Sequence, residues 1–98
     1  MAKLSEFEDG SAALFDNGDI MMPYKEGDES FQKKRFKEYQ RELIQMYVDS
    51  ELKNNMGVAD VENYLYRIAP GFSHIAIEPD LEGNIRHRAV WKDEKESK

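Results

Sequence analysis

Cysteine is absent from the 98 residues. That excludes a disulfide frame, a thiolate metal centre and a thiol nucleophile, and nothing in the chain demands an oxidising compartment. No stretch approaches the ~20 consecutive apolar residues that a membrane span needs. The opening MAKLSEFEDG has no apolar run of the signal-peptide kind, so a cytoplasmic or virion-associated protein is expected, not one secreted by a signal peptide.

Catalytic patterns are also missing. There is no glycine-rich phosphate loop, and no serine stands in a nucleophile elbow. Asp16-Asn17-Gly18-Asp19 lacks the spaced ligands and terminal Glu of a calcium loop. The pairs Asp49/Glu51 and Asp60/Glu62 are two residues apart on expected helices and point to different faces. The only histidines, His74 and His87, fall on neighbouring expected strands. Two imidazoles without a third ligand make a poor zinc site. No catalytic residue, metal or cofactor is assigned, and the expectation is a protein that is not an enzyme.

What is present is charge and aromatic surface. Charged residues make up 35% of the chain against 40% hydrophobic, the net charge is -6, and the mean hydropathy is -0.80. An acidic balance argues against binding nucleic acid or anionic membrane through the surface as a whole. A chain this long makes one small domain, 1–98, with a modest core.

The clearest element runs from Phe31 to Asn54. Phe36, Tyr39, Leu43, Met46 and Tyr47, flanked by Ile44, Val48 and Leu52, recur at steps of three and four and form one broad apolar face of a long helix. Ser30 fits the N-cap, with Asp28 and Glu29 beside it. Asn54, Asn55 and Gly57 read as the stop, with glycine as the left-handed residue. Val58, Val61, Tyr64, Leu65 and Ile68 then predict a short helix, ended by Pro70.

Phe72 to Glu78 and Ile85 to Trp91 read as two strands joined by Pro79 to Asn84. On the first strand Ile75 and Ile77 share one face, with Phe72, His74 and Ala76 on the other. On the second, Ile85, His87, Ala89 and Trp91 oppose Arg86, Arg88 and Val90. Residues 92–98 form a solvated tail. The acidic first segment, 1–30, has two readings. Asn17-Gly18 between Ala13-Leu14-Phe15 and Ile20-Met21-Met22 predicts a hairpin with a type I′ turn; the alternative is an acidic arm. Tyr24 to Glu29 is a loop into the helix. The fold class is therefore α+β: a long and a short helix on a small antiparallel sheet made of the C-terminal hairpin, with the N-terminal hairpin as its optional addition.

Three groups of residues are candidates for binding. Lys33, Lys34, Arg35, Lys37 and Arg41 give the start of the long helix a local +4, against -10 for the remainder. Cations near a helix N-terminus oppose its dipole. They either solvate the outer face, receive the acidic segment before them, or contact phosphate or an acidic partner. Phe36 and Tyr39 lie among them, but their spacing assigns both to the core. Arg86 and Arg88 share a strand face, where they either guard an exposed edge or hold a carboxylate. Tyr66 and Trp91 are the aromatic anchors least easily buried, although Trp91 can also cap the core.

The expected function is protein–protein interaction by a small accessory or assembly subunit, of a composition common among phage accessory and structural proteins. The partner is another protein or a further copy of the chain. The alternatives are an acidic regulator that occupies a nucleic-acid-binding site on a partner, and direct nucleic-acid binding through the basic start of the long helix. Neither that third reading nor any membrane partner is favoured.

Overall fold

The computed structural model describes residues 2–23, 27 and 29–94, with Phe31 by its backbone alone. The elements are β1 (Lys3–Glu6), β2 (Ala13–Phe15), β3 (Ile20–Met21), α1 (Glu29–Lys53), α2 (Val58–Ile68), β4 (Phe72–Pro79) and β5 (Ile85–Trp91). They make an α+β arrangement with two separate antiparallel sheets, β1-β2-β3 and β4-β5. The N-terminal hairpin thus exists, in a sheet of its own and not as an extension of the C-terminal one. The chain divides into two compact units, Met1–Tyr47 and Val48–Lys98. Among the described residues no helix is long and apolar enough to cross a membrane. The expected loop over Tyr24 to Glu26, the placement of Asp28 and the tail beyond Glu94 lie outside the described residues.

In the first unit, strands between Lys3 and Met21 replace the acidic-arm alternative. β1 pairs with β2 through Ser5↔Leu14 and Glu6↔Ala13, with an irregularity between Lys3 and Ser5. The β2–β3 turn is not type I′. Gly18 alone takes positive φ, at 92°. Its N–H donates to the Phe15 carbonyl and the Phe15 N–H to the Asp19 carbonyl, both at 2.9 Å. This is a type I turn closed by a left-handed glycine. Asn17, which type I′ would also place at positive φ, instead accepts the Asp19 N–H on its side-chain oxygen at 3.0 Å.

Ala12, Ala13 and Leu14 are buried in this unit, and so are Gln40, Leu43, Ile44 and Tyr47 of α1. The Ser5 hydroxyl donates to the Leu43 carbonyl at 2.8 Å. Phe7 meets Tyr39 edge-on at 5.3 Å between ring centroids. The helical spacing is as expected, but its first member is not in the core. Phe36 is 41% exposed, while polar Gln40 is buried. Ser30 is not the N-cap either, because α1 already includes Glu29.

In the second unit α1 ends in a Schellman arrangement. The Met56 N–H donates to the Glu51 carbonyl at 3.0 Å and the Asn55 N–H to that of Leu52 at 3.2 Å. The left-handed residue is Asn55, at φ 69°, not Gly57. Gly57 takes the extended N-cap position of α2, at φ -72°. Val61 and Leu65 are the buried residues of α2, which packs on β4. There the Ile75 N–H donates to the Glu62 carboxylate at 2.8 Å.

β4 and β5 pair from Phe72↔Trp91 to Pro79↔Ile85, with a bulge between Phe72 and His74. One extra residue reverses the alternation. Phe72 therefore joins the face of Ile75, not that of His74 and Ala76 as strict alternation required. Phe72, Ile75, Ala89 and Trp91 are all buried, and Phe72 and Trp91 meet edge-on with centroids 6.0 Å apart. The hairpin turn repeats the device of the first unit. Gly83 N–H donates to the Asp80 carbonyl at 3.1 Å, Asp80 N–H to that of Asn84 at 2.8 Å, and Gly83 has φ 85°. After β5 the chain does not leave at once: the Lys92 N–H donates to the Gly71 carbonyl at 2.8 Å and the Glu94 N–H to that of Trp91 at 3.0 Å.

Candidate interaction surfaces

Pairing register decides what the far end of the second hairpin presents. Ile77 faces His87, and Pro79 faces Ile85. By alternation from the bulge, Ile77 and Ile85 lie on the face that buries Ile75 and Ala89. Near Phe72 and Trp91 that face is covered. At the turn end it is not: Ile77 is 61% exposed, Ile85 71%, and Leu81 in the turn is fully exposed. Ile85 lines a groove of about 460 Å³ with Leu52 and with the charged Asp49, Lys53, Asp80 and Arg86. Pro79 has no N–H, which blocks further strand pairing at that point of the β4 edge.

The opposite face of the hairpin is polar and largely self-satisfied. Arg88 Nε donates to Glu78 at 3.0 Å and its Nη1 to Glu94 at 3.2 Å. The hydrogen bond to Glu94 holds the guanidinium above its ordinary pKa; desolvation opposes this, and Glu78 adds to it. Both ion pairs are more than about a third exposed, so each adds at most about 1 kcal/mol. Arg88 is thereby engaged within the chain. Arg86, directly across from Glu78, is exposed.

The basic start of α1 divides in two. Lys33, Lys34 and Lys37 are exposed, whereas Arg35 and Arg41 are half-buried. Arg35 Nη1 donates to the Tyr39 hydroxyl at 2.9 Å, and its guanidinium carbon lies 5.8 Å from the centroid of that ring. Arg35 is therefore part of the stack that continues to Phe7. The ring of Phe36 is exposed in the same stretch. Lys33 stands one turn before Phe36, and Lys37 next to it.

Of the two aromatic anchors, Trp91 is corrected. It is 4% exposed, because the bulge register sets it opposite Phe72, and it offers no surface. Tyr66 is exposed, with its ring tilted against Phe72 at 5.3 Å. His74 and His87 lie on opposite faces of the hairpin. The Nδ1 of His74 is 2.9 Å from the Ser73 hydroxyl. Among the described residues no group of three His, Cys, Asp or Glu side chains could hold a metal ion.

Sequence reading missed the apolar hairpin end. Its signal was Leu81 inside the turn PDLEGN and Ile85 directly after it, two large apolar side chains where a turn needs none. No protein-family model, no curated protein and no solved structure matches this chain.

Proposed function

We propose that this protein is a non-enzymatic protein–protein interaction module, acting as a small accessory or assembly subunit. The reading rests on three large apolar side chains left exposed at the turn end of the second hairpin, Ile77, Leu81 and Ile85. Burying one such side chain is worth about 1.5–3 kcal/mol. Three together leave several kcal/mol of driving force unused by the fold, enough to anchor a modest interface with a polar rim. Asp49, Lys53 and Arg86 supply charges at the margin of the groove.

The test is paired affinity capture from the native source, with partners identified by mass. The bait is either the wild-type chain or Leu81→Ser/Ile85→Thr. Both substitutions are at exposed positions, and Thr keeps the strand preference of Ile. The variant should unfold within about 0.5 kcal/mol of wild type. The expected result is a partner held by the wild type and lost by an equally folded variant. Identical captured sets from both baits would refute the assignment.

A second reading has one observation in its favour. Single-stranded nucleic acid is bound by aromatic rings exposed beside cations, and Phe36 is exposed one turn after Lys33. The net charge of -6 opposes it. Titrating a labelled single-stranded oligonucleotide at low salt decides: binding that Phe36→Ala abolishes supports it, and no binding removes it.

A further inference from the structure

The N-terminal sheet holds a motif that the interaction reading leaves unused. Asn17-Gly18 is the only Asn-Gly pair in the chain, and such a pair carries its own chemistry. The side-chain amide lies within ring-closing reach of the next backbone nitrogen. Glycine, with no β-carbon, leaves that nitrogen unhindered. Asn17 is exposed, so water reaches it.

The closed turn opposes this reaction at three atoms. The Gly18 N–H, whose proton must leave before the nitrogen attacks, donates to the Phe15 carbonyl at 2.9 Å. Asn17 Nδ2 donates to the Asp19 carboxylate at 3.0 Å. Asn17 Oδ1 accepts the Asp19 N–H at 3.0 Å. Asp19 therefore holds both ends of the amide and fixes its rotation. Its carboxylate also sets a negative charge beside the place where ring closure would develop another. We propose that Asn17 is a self-modification site that the turn keeps shut, with Asp19 as the latch, and that it deamidates through local opening of the β2–β3 turn.

The step consumes water and releases ammonia, with no oxidation or reduction. In the open turn the Gly18 nitrogen loses its proton to solvent and bonds to Asn17 Cγ. The Cγ–Nδ2 bond breaks, and the nitrogen leaves as ammonia. Water then opens the cyclic imide. Opening at Cγ leaves an aspartate; opening at the backbone carbonyl leaves an isoaspartate, whose chain runs through the β-carbon. The isoaspartate puts an extra backbone atom inside the turn that the Phe15 N–H closes on the Asp19 carbonyl at 2.9 Å. β3 has only two residues, paired as Leu14↔Ile20 and Ala13↔Met21, so its register depends on that closure. Conversion to isoaspartate releases β3 from β2.

Peptide mapping by mass tests this on the full chain, incubated at neutral pH both folded and in urea. It follows the exchange of the amide for a carboxylate. Each such hydrogen bond favours the closed form by a factor of roughly two to ten. Folded wild type should therefore convert on the order of tenfold or more slower than the denatured chain, a comparison that needs no substitution. Asp19→Ala removes the carboxylate and keeps the backbone N–H, so the ratio of denatured to folded rates should shrink by about threefold. Taking each variant against its own denatured rate cancels any effect of the substitution on the intrinsic chemistry. In the purified isoaspartate form the Met21 amide, which alternation aims at β2, should lose exchange protection. The Leu14 amide, which faces β1, should keep it.

Equal rates in folded and denatured wild type overturn the proposal. A folded chain that converts faster overturns it too, since the turn would then promote ring closure. So does a rate ratio that Asp19→Ala leaves unchanged. Met21 protection that survives in the isoaspartate form refutes the release of β3.

Discussion

Glu62 of α2 sets how firmly the second hairpin is held, and its removal has a calculable effect. Its carboxylate accepts the Ile75 N–H at 2.8 Å in a part-buried setting. Ile75 is a non-hydrogen-bonded partner of Ala89 in the alternation set by the Asp80–Asn84 bond, so its N–H points away from β5. Without Glu62 that donor loses its acceptor beside buried Val61, Leu65 and Ile75. A hydrogen bond to a charged group contributes about 1.5–3 kcal/mol, and partial exposure places this one near the lower end. Glu62→Ala should therefore cost about 1.5 kcal/mol, or a fall in Tm on the order of 6–12 °C for a domain of this size. Glu62→Gln keeps an acceptor oxygen, and neutral bonds hold roughly half the strength of charged ones, so it should cost about 0.7 kcal/mol. Denaturant unfolding gives the stabilities, and amide exchange locates the effect. Ile75 should lose protection in Glu62→Ala while Ala76, whose amide faces β5, keeps its own. A loss below about 0.5 kcal/mol with Ile75 exchange unchanged would refute the claim that this carboxylate fastens the strand.

Two further predictions concern the ends of elements. Asn55 closes α1 at φ 69°, where a β-carbon is costly and Asn is better tolerated than most residues. Asn55→Ala should destabilise by about 1 kcal/mol, and Asn55→Gly should be neutral or stabilising by about 0.5 kcal/mol; equal midpoints for the two variants in urea would remove the argument. Asp9 is held below the ordinary aspartate pKa by the Ser11 hydroxyl first and the Ser11 N–H second, at 2.6 and 2.9 Å. A folded pKa below the unfolded one means a contribution present above the unfolded value and lost as pH falls through the folded one. NMR titration should show Asp9 titrating below the ordinary range in wild type and moving up towards it in Ser11→Ala. An unshifted Asp9 in wild type would contradict the geometry.

Much of this fold was legible because both helices and the second hairpin carry long periodic signals. Leu43, Ile44, Tyr47 and Val48 repeat at helical spacing, and all four are buried. β1 was not legible, since Lys3-Leu4-Ser5-Glu6 offers one apolar residue and no period to detect. Asn17-Gly18 does not fix the turn type, because Asn-Gly suits both a type I′ turn and a type I turn closed by left-handed glycine. Which of the two forms depends on the register that β2 and β3 adopt. Strict alternation misplaces Phe72, because a bulge cancels alternation and leaves no mark in the sequence. Residue type alone makes Trp91 a surface anchor, whereas that same bulge register buries it against Phe72.

Periodicity reports which face a side chain takes, not how far along that face the cover extends. Phe36 and Ile85 both show this, since each has the spacing of its buried neighbours and each lies beyond the covered part. For Ile77 and Ile85 parity therefore provides a bland account, because they continue the face of Ile75 and Ala89. Parity does not account for Leu81. It occupies the first of the two central positions of the turn from Asp80 to Gly83, where type I geometry accepts nearly any residue and favours proline. The fold obtains its turn from Gly83 at φ 85° and from Asp80, which caps two N–H groups. Leu81 adds nothing to either, and it exposes a whole apolar side chain at the turn end of a hairpin whose Ile77 and Ile85 the sheet also leaves uncovered. An apolar residue that neither turn geometry nor core packing requires is what an interaction surface explains and parity does not.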